Sequence, residues 1–177
     1  MIWLAVDRRA KPGCQLFLAA TSGSMTGSLA IEQPEMDLAL IPPALNGLAA
    51  IDAEPGLEVV VDLVTGASTR FVGLFGAPTG ALRRVEIDGS STAPADLFAY
   101  GGSVAHLDGV DCVRPQGTIV VSSASPTANR YAVLSRYYRV ADGRSTPLPA
   151  RTKRRTVRAG ALGSFPELMS APFAGCM

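Results

Sequence analysis

The side chains most able to perform chemistry gather in residues 101–112, GGSVAHLDGVDC. A serine or thiol nucleophile needs a base within hydrogen-bond reach, and His106 is the only histidine of the chain. Neighbours in sequence need not meet in that geometry, and the chain has no G-x-S-x-G nucleophile elbow. We therefore interpret the segment as a loop and keep catalysis here as a third hypothesis. The side chains concerned are Ser103, His106, Asp108, Asp111 and Cys112.

Metal binding and acid/base catalysis have weaker signals. Asp108, Asp111 and His106 carry ligand atoms that suit a divalent ion, but the segment lacks the spacing of an EF-hand loop. Glu86 and Asp88 share a strand face and would act as an acid/base pair only inside a cleft. We therefore predict no catalytic residue, no metal and no cofactor, and we expect a protein that is not an enzyme.

A basic tract near the C-terminus carries the most physical content. Its five cations lie within eight residues, at Arg151, Lys153, Arg154, Arg155 and Arg158. Such a tract binds RNA or DNA by neutralising phosphates and releasing counterions. Further side chains that would add cation contacts or base stacking are Arg130, Arg136, Arg139, Arg144, Tyr131, Tyr137 and Tyr138. The alternatives are that the charges protect an edge strand from aggregation or that they meet acidic residues of the same chain.

The net charge of +1 hides two halves of opposite sign. Residues 1–112 hold 6 Lys and Arg against 13 Asp and Glu, a net charge of −7, whereas residues 113–177 hold 10 against 2, a net charge of +8. Such halves neutralise each other within one domain, pair head to tail between subunits, or present the basic half to a polyanion. Arginine outnumbers lysine 14 to 2, which we attribute to coding bias.

Length and composition indicate one soluble domain. A chain of 177 residues can bury a core without metal or disulfide. Hydrophobic residues make up 47% and charged residues 18%, which argues against disorder and leaves apolar surface for a partner. No run approaches the roughly 18 apolar residues of a membrane span, and basic residues follow the apolar start, the reverse of a signal peptide. Removal of an earlier leader stays open, and no compartment is indicated.

The three cysteines, Cys14, Cys112 and Cys176, leave two alternatives. Structural zinc is not expected, because the chain has no C-x-x-C spacing and a single histidine. One bridge, with Cys112 and Cys176 as the favoured pair, would form in an oxidising compartment. Three buried free thiols are at least as well supported.

Residues 57–89 contain the pattern on which the fold prediction depends. Apolar runs at residues 57–64, 69–75 and 81–88 have strand length, and the gaps between them have hairpin length. Valines and a leucine alternate with acidic residues in the first run, which is typical of a strand with one buried face. We therefore predict an antiparallel meander.

The other predicted strands are residues 2–6, 14–20, 29–33, 117–123 and 130–140, with a polar loop at 21–28. Residues 151–159 form an edge strand or an arm. Residues 34–51 fit either a short helix or a buried strand, because the double proline Pro42-Pro43 prevents one continuous helix.

Two helical turns are also predicted. The first covers residues 95–100 and is capped by Ser91 or Thr92, with glycines as its stop signal. The second covers residues 165–169 and is capped by Ser164.

The chain is thus predicted to be mainly β, an antiparallel β-sandwich or barrel with one or two short helical turns. One domain covers residues 1–177, in which residues 145–177 form an extended arm or a docking tail. Opposite charge in the two halves, low total charge and an apolar C-terminus favour a non-catalytic structural or assembly module. It would belong to a virion, tail or surface assembly and contact copies of itself or a larger scaffold. A nucleic-acid or other polyanion-binding module is the alternative, and a hydrolase-like enzyme using residues 101–112 is the second alternative.

Overall fold

The computed structural model of the chain is mainly β, with sheets of mostly antiparallel strands and short 3-10 turns, as the sequence predicts. Two sheets pack against each other, which confirms the sandwich prediction. The residues that the structure describes are 1–22, 25–34, 42–52, 54–77, 80–88, 96–113, 115–148 and 151–177.

The smaller sheet consists of β1 (Ile2–Val6), β2 (Leu16–Ser22) and β3 (Met25–Ile31), paired antiparallel in that order. The predicted bounds of β1 are confirmed. β2 begins later than predicted because the Cys14 N–H donates to the Lys11 carbonyl in the preceding turn. β3 begins earlier because strand pairing continues to the end of β2. The predicted loop at 21–28 is therefore mostly strand, and its residues 23 and 24 lie outside the described residues.

In the described part of the chain, the larger sheet holds 11 strands. Their bounds are β4 (Ala44–Ala49), β5 (Glu58–Thr65), β6 (Thr69–Gly76), β7 (Arg83–Arg84), β8 (Glu86–Ile87), β9 (Phe98–Ser103), β10 (His106–Val113), β11 (Thr118–Thr127), β12 (Arg130–Ala141), β13 (Arg144–Pro147) and β14 (Lys153–Val157). The strand order is β4-β5-β6-β9-β10-β11-β12-β13-β8, with β7 paired to β6 and β14 paired to β12. β11 and β12 confirm the strands predicted at 117–123 and 130–140.

The central meander is confirmed for its first two runs and for β7, which pairs antiparallel with β6, and it is wrong for the end of the third run, where β8 pairs with β13. β5 and β6 pair antiparallel. The run at 81–88 is divided into β7 and β8, because Val85 is buried between them and its flanking residues have different partners. The Val85 N–H donates to the Leu74 carbonyl of β6, whereas the Glu86 N–H donates to the Gly143 carbonyl beside β13. This run therefore links two strands that are distant in the sheet order.

Three apolar clusters hold the layers together. The first lies on one face of the larger sheet, around Val110, Ile119 and Phe173. The second fills the space between the two sheets, where Val59 of β5 packs with Leu16 of β2. The third lies where the C-terminal 3-10 turns cover the other face of β11 and β12. These clusters bury both faces of the middle of the larger sheet.

The C-terminal residues pack on the body of the chain. Phe173 is fully buried, and its N–H donates to the Val110 carbonyl of β10. A disulfide joins Cys112 to Cys176, which decides between the two cysteine alternatives, and Cys14 is a free thiol. The 3-10 turns of this region are Ala159–Ser164, Pro166–Leu168 and Ala174–Cys176.

Two predicted helical details are wrong. Residues 98–103 form β9 rather than a helical turn, because Gly101 and Gly102, with φ of +88° and +135°, lie within the strand instead of ending a helix. Its proposed caps lie outside the described residues. The second turn exists, but the Ser164 hydroxyl donates to the Ala161 carbonyl instead of capping it. Within the ambiguous stretch at 34–51, residues 35–41 lie outside the described residues, and residues 44–49 form β4.

Candidate functional site

The segment at 101–112 is a pair of strands rather than a loop. β9 and β10 form an antiparallel hairpin with His106 opposite Ser103. Cys112 is in the disulfide and has no thiol to act as a nucleophile. The Ser103 hydroxyl oxygen accepts a hydrogen bond from the Ala105 N–H at 3.1 Å, within the hairpin turn. The sulfur and hydroxyl that the sequence placed near the histidine therefore both have structural partners.

His106 lies in a small polar cluster on this hairpin. Its Nε2 atom is 2.6 Å from the Thr69 hydroxyl and 3.5 Å from Asp108 Oδ2. A catalytic relay needs the hydroxyl and the carboxylate on different ring nitrogens, because one nitrogen accepts the proton while the other is held by the acid. Burial raises the pKa of Asp108, and the nearby imidazole partly offsets this rise. The three side chains form a local hydrogen-bonding cluster without a relay.

Asp111 accepts hydrogen bonds from the backbone, whereas Glu86 and Asp88 bind an arginine. Asp111 Oδ1 accepts hydrogen bonds of 2.7 Å from the N–H groups of Cys112 and Gly175. Arg144 donates to Glu86 at 2.6 Å and to Asp88 at 3.0 Å. Within the described residues no group of three or more His, Cys, Asp and Glu side chains is placed to hold a metal ion. Glu86 and Asp88 therefore share Arg144 in a pair of salt bridges.

The basic tract lies at an edge of the larger sheet. β14 pairs antiparallel with the first half of β12, and β13 pairs with its second half. The register places Lys153, Arg154 and Arg155 opposite Ser135, Leu134 and Val133, so successive cations point to opposite faces of the sheet. The edge-strand alternative for residues 151–159 is thus the observed one. Arg151, Lys153, Arg154, Arg155 and Arg158 are all exposed.

The tyrosines beside this tract already have partners. The Lys153 ammonium lies 5.3 Å from the centroid of the Tyr137 ring, a cation–π contact. The Tyr131 hydroxyl donates to the Val104 carbonyl at 3.2 Å, and Tyr138 packs against the apolar cluster around Val110. The structure therefore brings the cations together, while the predicted stacking surface is not formed by these three rings.

Only one cation of the C-terminal half pairs with the acidic half in the described part of the chain. Arg144 binds Glu86 and Asp88, while the other described basic residues from 130 onwards have no carboxylate within 4.0 Å. Compensation within the domain is therefore confined to the edge where β8 meets β13. The other described basic residues of this half, on β12, on β14 and beside β14, are exposed.

A second feature, which sequence reasoning missed, is an apolar edge formed by β1 and β4. Each is the terminal strand of its own sheet, and the two strands contact each other across the layers. Trp3, Val6, Leu45 and Leu48 are between 39% and 46% exposed here. The strand sequences IWLAV and ALNGLA contain no charged residue. The absence of charge was visible in the sequence, but the edge position of the strands was not.

The outward face of the smaller sheet extends this apolar edge. The register aligns Trp3 with Ala19 and Ser28, and Ala5 with Phe17 and Ala30. None of the three strands contains Asp, Glu, Lys or Arg. The apolar edge formed by β1 and β4 thus continues onto the uncharged outward face of the smaller sheet, and we call the edge and this face together the β1/β4 surface.

A cavity of about 810 Å³ opens beside the β1/β4 surface, between the two sheets. Glu58 lies in its wall, and its Oε2 accepts a 2.8 Å hydrogen bond from the Ile51 N–H. Burial raises the pKa of Glu58, the Ile51 hydrogen bond opposes this rise, and the charge of Asp52 adds to it. The cavity wall therefore combines apolar side chains with two buried acids, Glu58 and Asp52, and with the exposed Glu54.

No protein-family model, curated protein or solved structure matches the chain. Within the described residues, no helix is long and apolar enough to cross a bilayer.

Proposed function

We propose that this chain is a non-catalytic assembly module that binds a second copy of itself through the β1/β4 surface. The observation that carries the proposal is the combination of two strands that each end a sheet in the described part of the chain, no charged side chain in either strand, and four large apolar side chains near 40% exposure. Unpaired N–H and C=O groups on an apolar edge favour pairing with another strand.

The contrast with β14 strengthens this argument. Soluble proteins protect exposed strand edges with charged residues. β14, KRRTV, has three cations in five residues, whereas β1 and β4 have none. The same chain therefore protects one edge and leaves another without protection. An unprotected edge is expected where strand pairing with another chain is part of the function.

The size of the β1/β4 surface sets the strength of the contact. Three strands about 4.8 Å apart and about 17 Å long give an outward face of roughly 250 Å². The side of the sandwich where β1 and β4 lie, with layers about 10 Å apart and strands about 17 Å long, adds roughly 170 Å². The sum is about half of the roughly 800 Å² that each partner buries in a stable complex. One contact is therefore weak, and repeated contacts in a larger array would add up.

This estimate favours a subunit of a repeated structure over a stable dimer. We propose a component of a virion, tail or surface assembly, in which each copy contacts others and a larger protein scaffold. The apolar C-terminus does not support this proposal, because Leu162, Phe165 and Phe173 are buried against the chain itself.

Sedimentation velocity over a wide range of protein concentration tests self-association. We expect the wild-type chain to associate as concentration rises, and Val6→Lys or Leu45→Lys to remain monomeric, because each places a charge on the apolar edge. Val104→Lys is the matched control, since Val104 is 87% exposed in the β9–β10 turn. A wild-type chain that stays monomeric throughout, or a Val104→Lys variant that dissociates as completely as Val6→Lys, would contradict the proposal.

A further inference from the structure

Eight cations gather on β12, on β14 and on the residues flanking β14, and all are exposed. They are Arg130, Arg136, Arg139, Arg151, Lys153, Arg154, Arg155 and Arg158. No described carboxylate lies within 4.0 Å of any of them. Protection of a single edge strand would not require the additional arginines on the neighbouring β12. These eight residues, which we call the β12/β14 surface, therefore carry a large positive charge that no described carboxylate neutralises.

The strand register arranges hydroxyl groups among these cations. Arg154 of β14 lies opposite Leu134 of β12, and Leu134 lies opposite Ser123 of β11, so the three residues share one face of the sheet. On the same face, Thr156 lies opposite Ala132, and Ala132 lies opposite Ser125. Arginine guanidinium groups and Ser or Thr hydroxyls are the side chains that most often contact phosphate oxygens. The small and exposed Ala132 leaves this face open to a ligand.

The other side of β14 has the same charge. Arg155 and Lys153 lie on the face of Val133 and Ser135, about 7 Å apart along the strand. A linear polyanion that follows the edge therefore meets cations on both faces of β14. The carboxylate of Asp108 lies on the same face as Arg154. It is on β10, three strand spacings of about 4.8 Å away from β14. Its carboxylate also contacts His106.

We propose that the β12/β14 surface binds the phosphate backbone of nucleic acid without reading its sequence. Phosphate contacts fix a strand in place and carry no base information. Base stacking would need free aromatic rings, but Tyr131 and Tyr137 are engaged with Val104 and Lys153. Binding therefore depends on charge and hydroxyl contacts, and it is independent of the proposed self-association.

The salt dependence follows from the number of phosphates neutralised. If half of the eight cations each replace a counterion on a single strand, log K falls with log salt at a slope of about −3. Affinity then decreases about 50-fold between 50 mM and 200 mM salt. Removing two of the contacts reduces the slope by about 1.4 and lowers affinity at 50 mM salt by at least about tenfold.

Fluorescence anisotropy with labelled dT and mixed-sequence oligonucleotides of about 20 nucleotides provides the test. We expect equal binding of both oligonucleotides, and the losses given above for Arg154→Ala with Arg155→Ala. The matched control is Arg8→Ala with Arg9→Ala, which removes two neighbouring exposed arginines and the same net charge from the turn after β1. The control should bind within twofold of wild type. Circular dichroism checks the fold of each variant.

A second variant keeps the test valid if the first one fails to fold. Arg151→Ala with Arg158→Ala changes the residues that flank β14 and leaves its pairing with β12 intact. The proposal is overturned if the wild-type chain does not bind at 50 mM salt, or if the control loses as much affinity as the β14 variants. Retention on heparin without binding to either oligonucleotide would assign the surface to a sulfated polysaccharide and also overturn it.

Discussion

Reducing the disulfide between Cys112 and Cys176 should lower the free energy of unfolding by about 4 kcal/mol. The bridge closes a loop with a sequence separation of 64, and the loss of chain entropy in an unfolded chain with such a loop corresponds to about 4 kcal/mol. Small domains have a total stability of about 5–15 kcal/mol, so the bridge accounts for a large share.

The native state should change little on reduction, because other contacts hold the tail. The Gly175 N–H donates to Asp111 at 2.7 Å, the Ala50 N–H donates to the Cys176 carbonyl at 2.9 Å, and Phe173 remains buried. The effect should therefore come from the unfolded state, which becomes more expanded. We expect a lower urea midpoint together with a larger m value.

Urea unfolding of the wild-type chain, with and without a thiol reductant, measures this effect without changing any side chain. Cys14→Ala is the control, because the reductant should act equally in its presence and absence if the bridge alone is responsible. A difference below about 1 kcal/mol between oxidised and reduced chains would refute the loop-entropy reasoning. An unchanged m value would show that the unfolded state is not the origin of the effect.

Two further predictions concern the core. Phe173→Ala should cost about 3–5 kcal/mol, because the ring is fully buried and packs edge-on against Phe98 at 5.8 Å, whereas exposed Met169→Ala should change stability by less than about 0.5 kcal/mol in the same urea assay. Glu58→Gln should flatten the pH dependence of stability. The folded chain holds the Glu58 proton to a higher pH than the unfolded chain, so wild-type stability falls as pH rises from 4.5 through the raised pKa. Thermal melts between acid and neutral pH check this, and an equally steep fall in the variant would contradict the assignment; Asp108, whose pKa is also raised, leaves a residual slope in both chains.

Local alternation of side chains was sufficient to predict much of the fold. β5 and β6 are apolar runs of strand length, and alternate side chains of each strand pack in the cluster between the two sheets and in the cluster on the opposite face. The same reasoning failed for the end of the run at residues 81–88. There the partners of β7 and β8 belong to β6 and to β13, and the latter lies far along the chain. No local pattern in the run indicates a change of partner at Val85.

The candidate surfaces could be predicted only in part. The density of cations identified the tract at 151–158, since charge is visible in the sequence regardless of fold. Its placement beside the arginines of β12 depends on strand register, which the sequence left open. The β1/β4 surface depends on knowing which strands end a sheet. The spacing of the cysteines could not show that the C-terminal residues fold back onto β10, where Cys176 bonds to Cys112.

The two charged halves suggest a competing form of self-association, and salt distinguishes it from the one proposed. If the acidic half of one copy met the basic half of another, association would weaken as salt screens the charges. Contact through the β1/β4 surface involves no charged side chain of β1 or β4, so it should persist or strengthen at higher salt. Because Arg144 is paired within the chain to Glu86 and Asp88, part of the acidic half is already occupied. Light scattering coupled to size exclusion at two salt concentrations therefore separates the mechanisms, and dissociation at the higher salt would favour the head-to-tail contact.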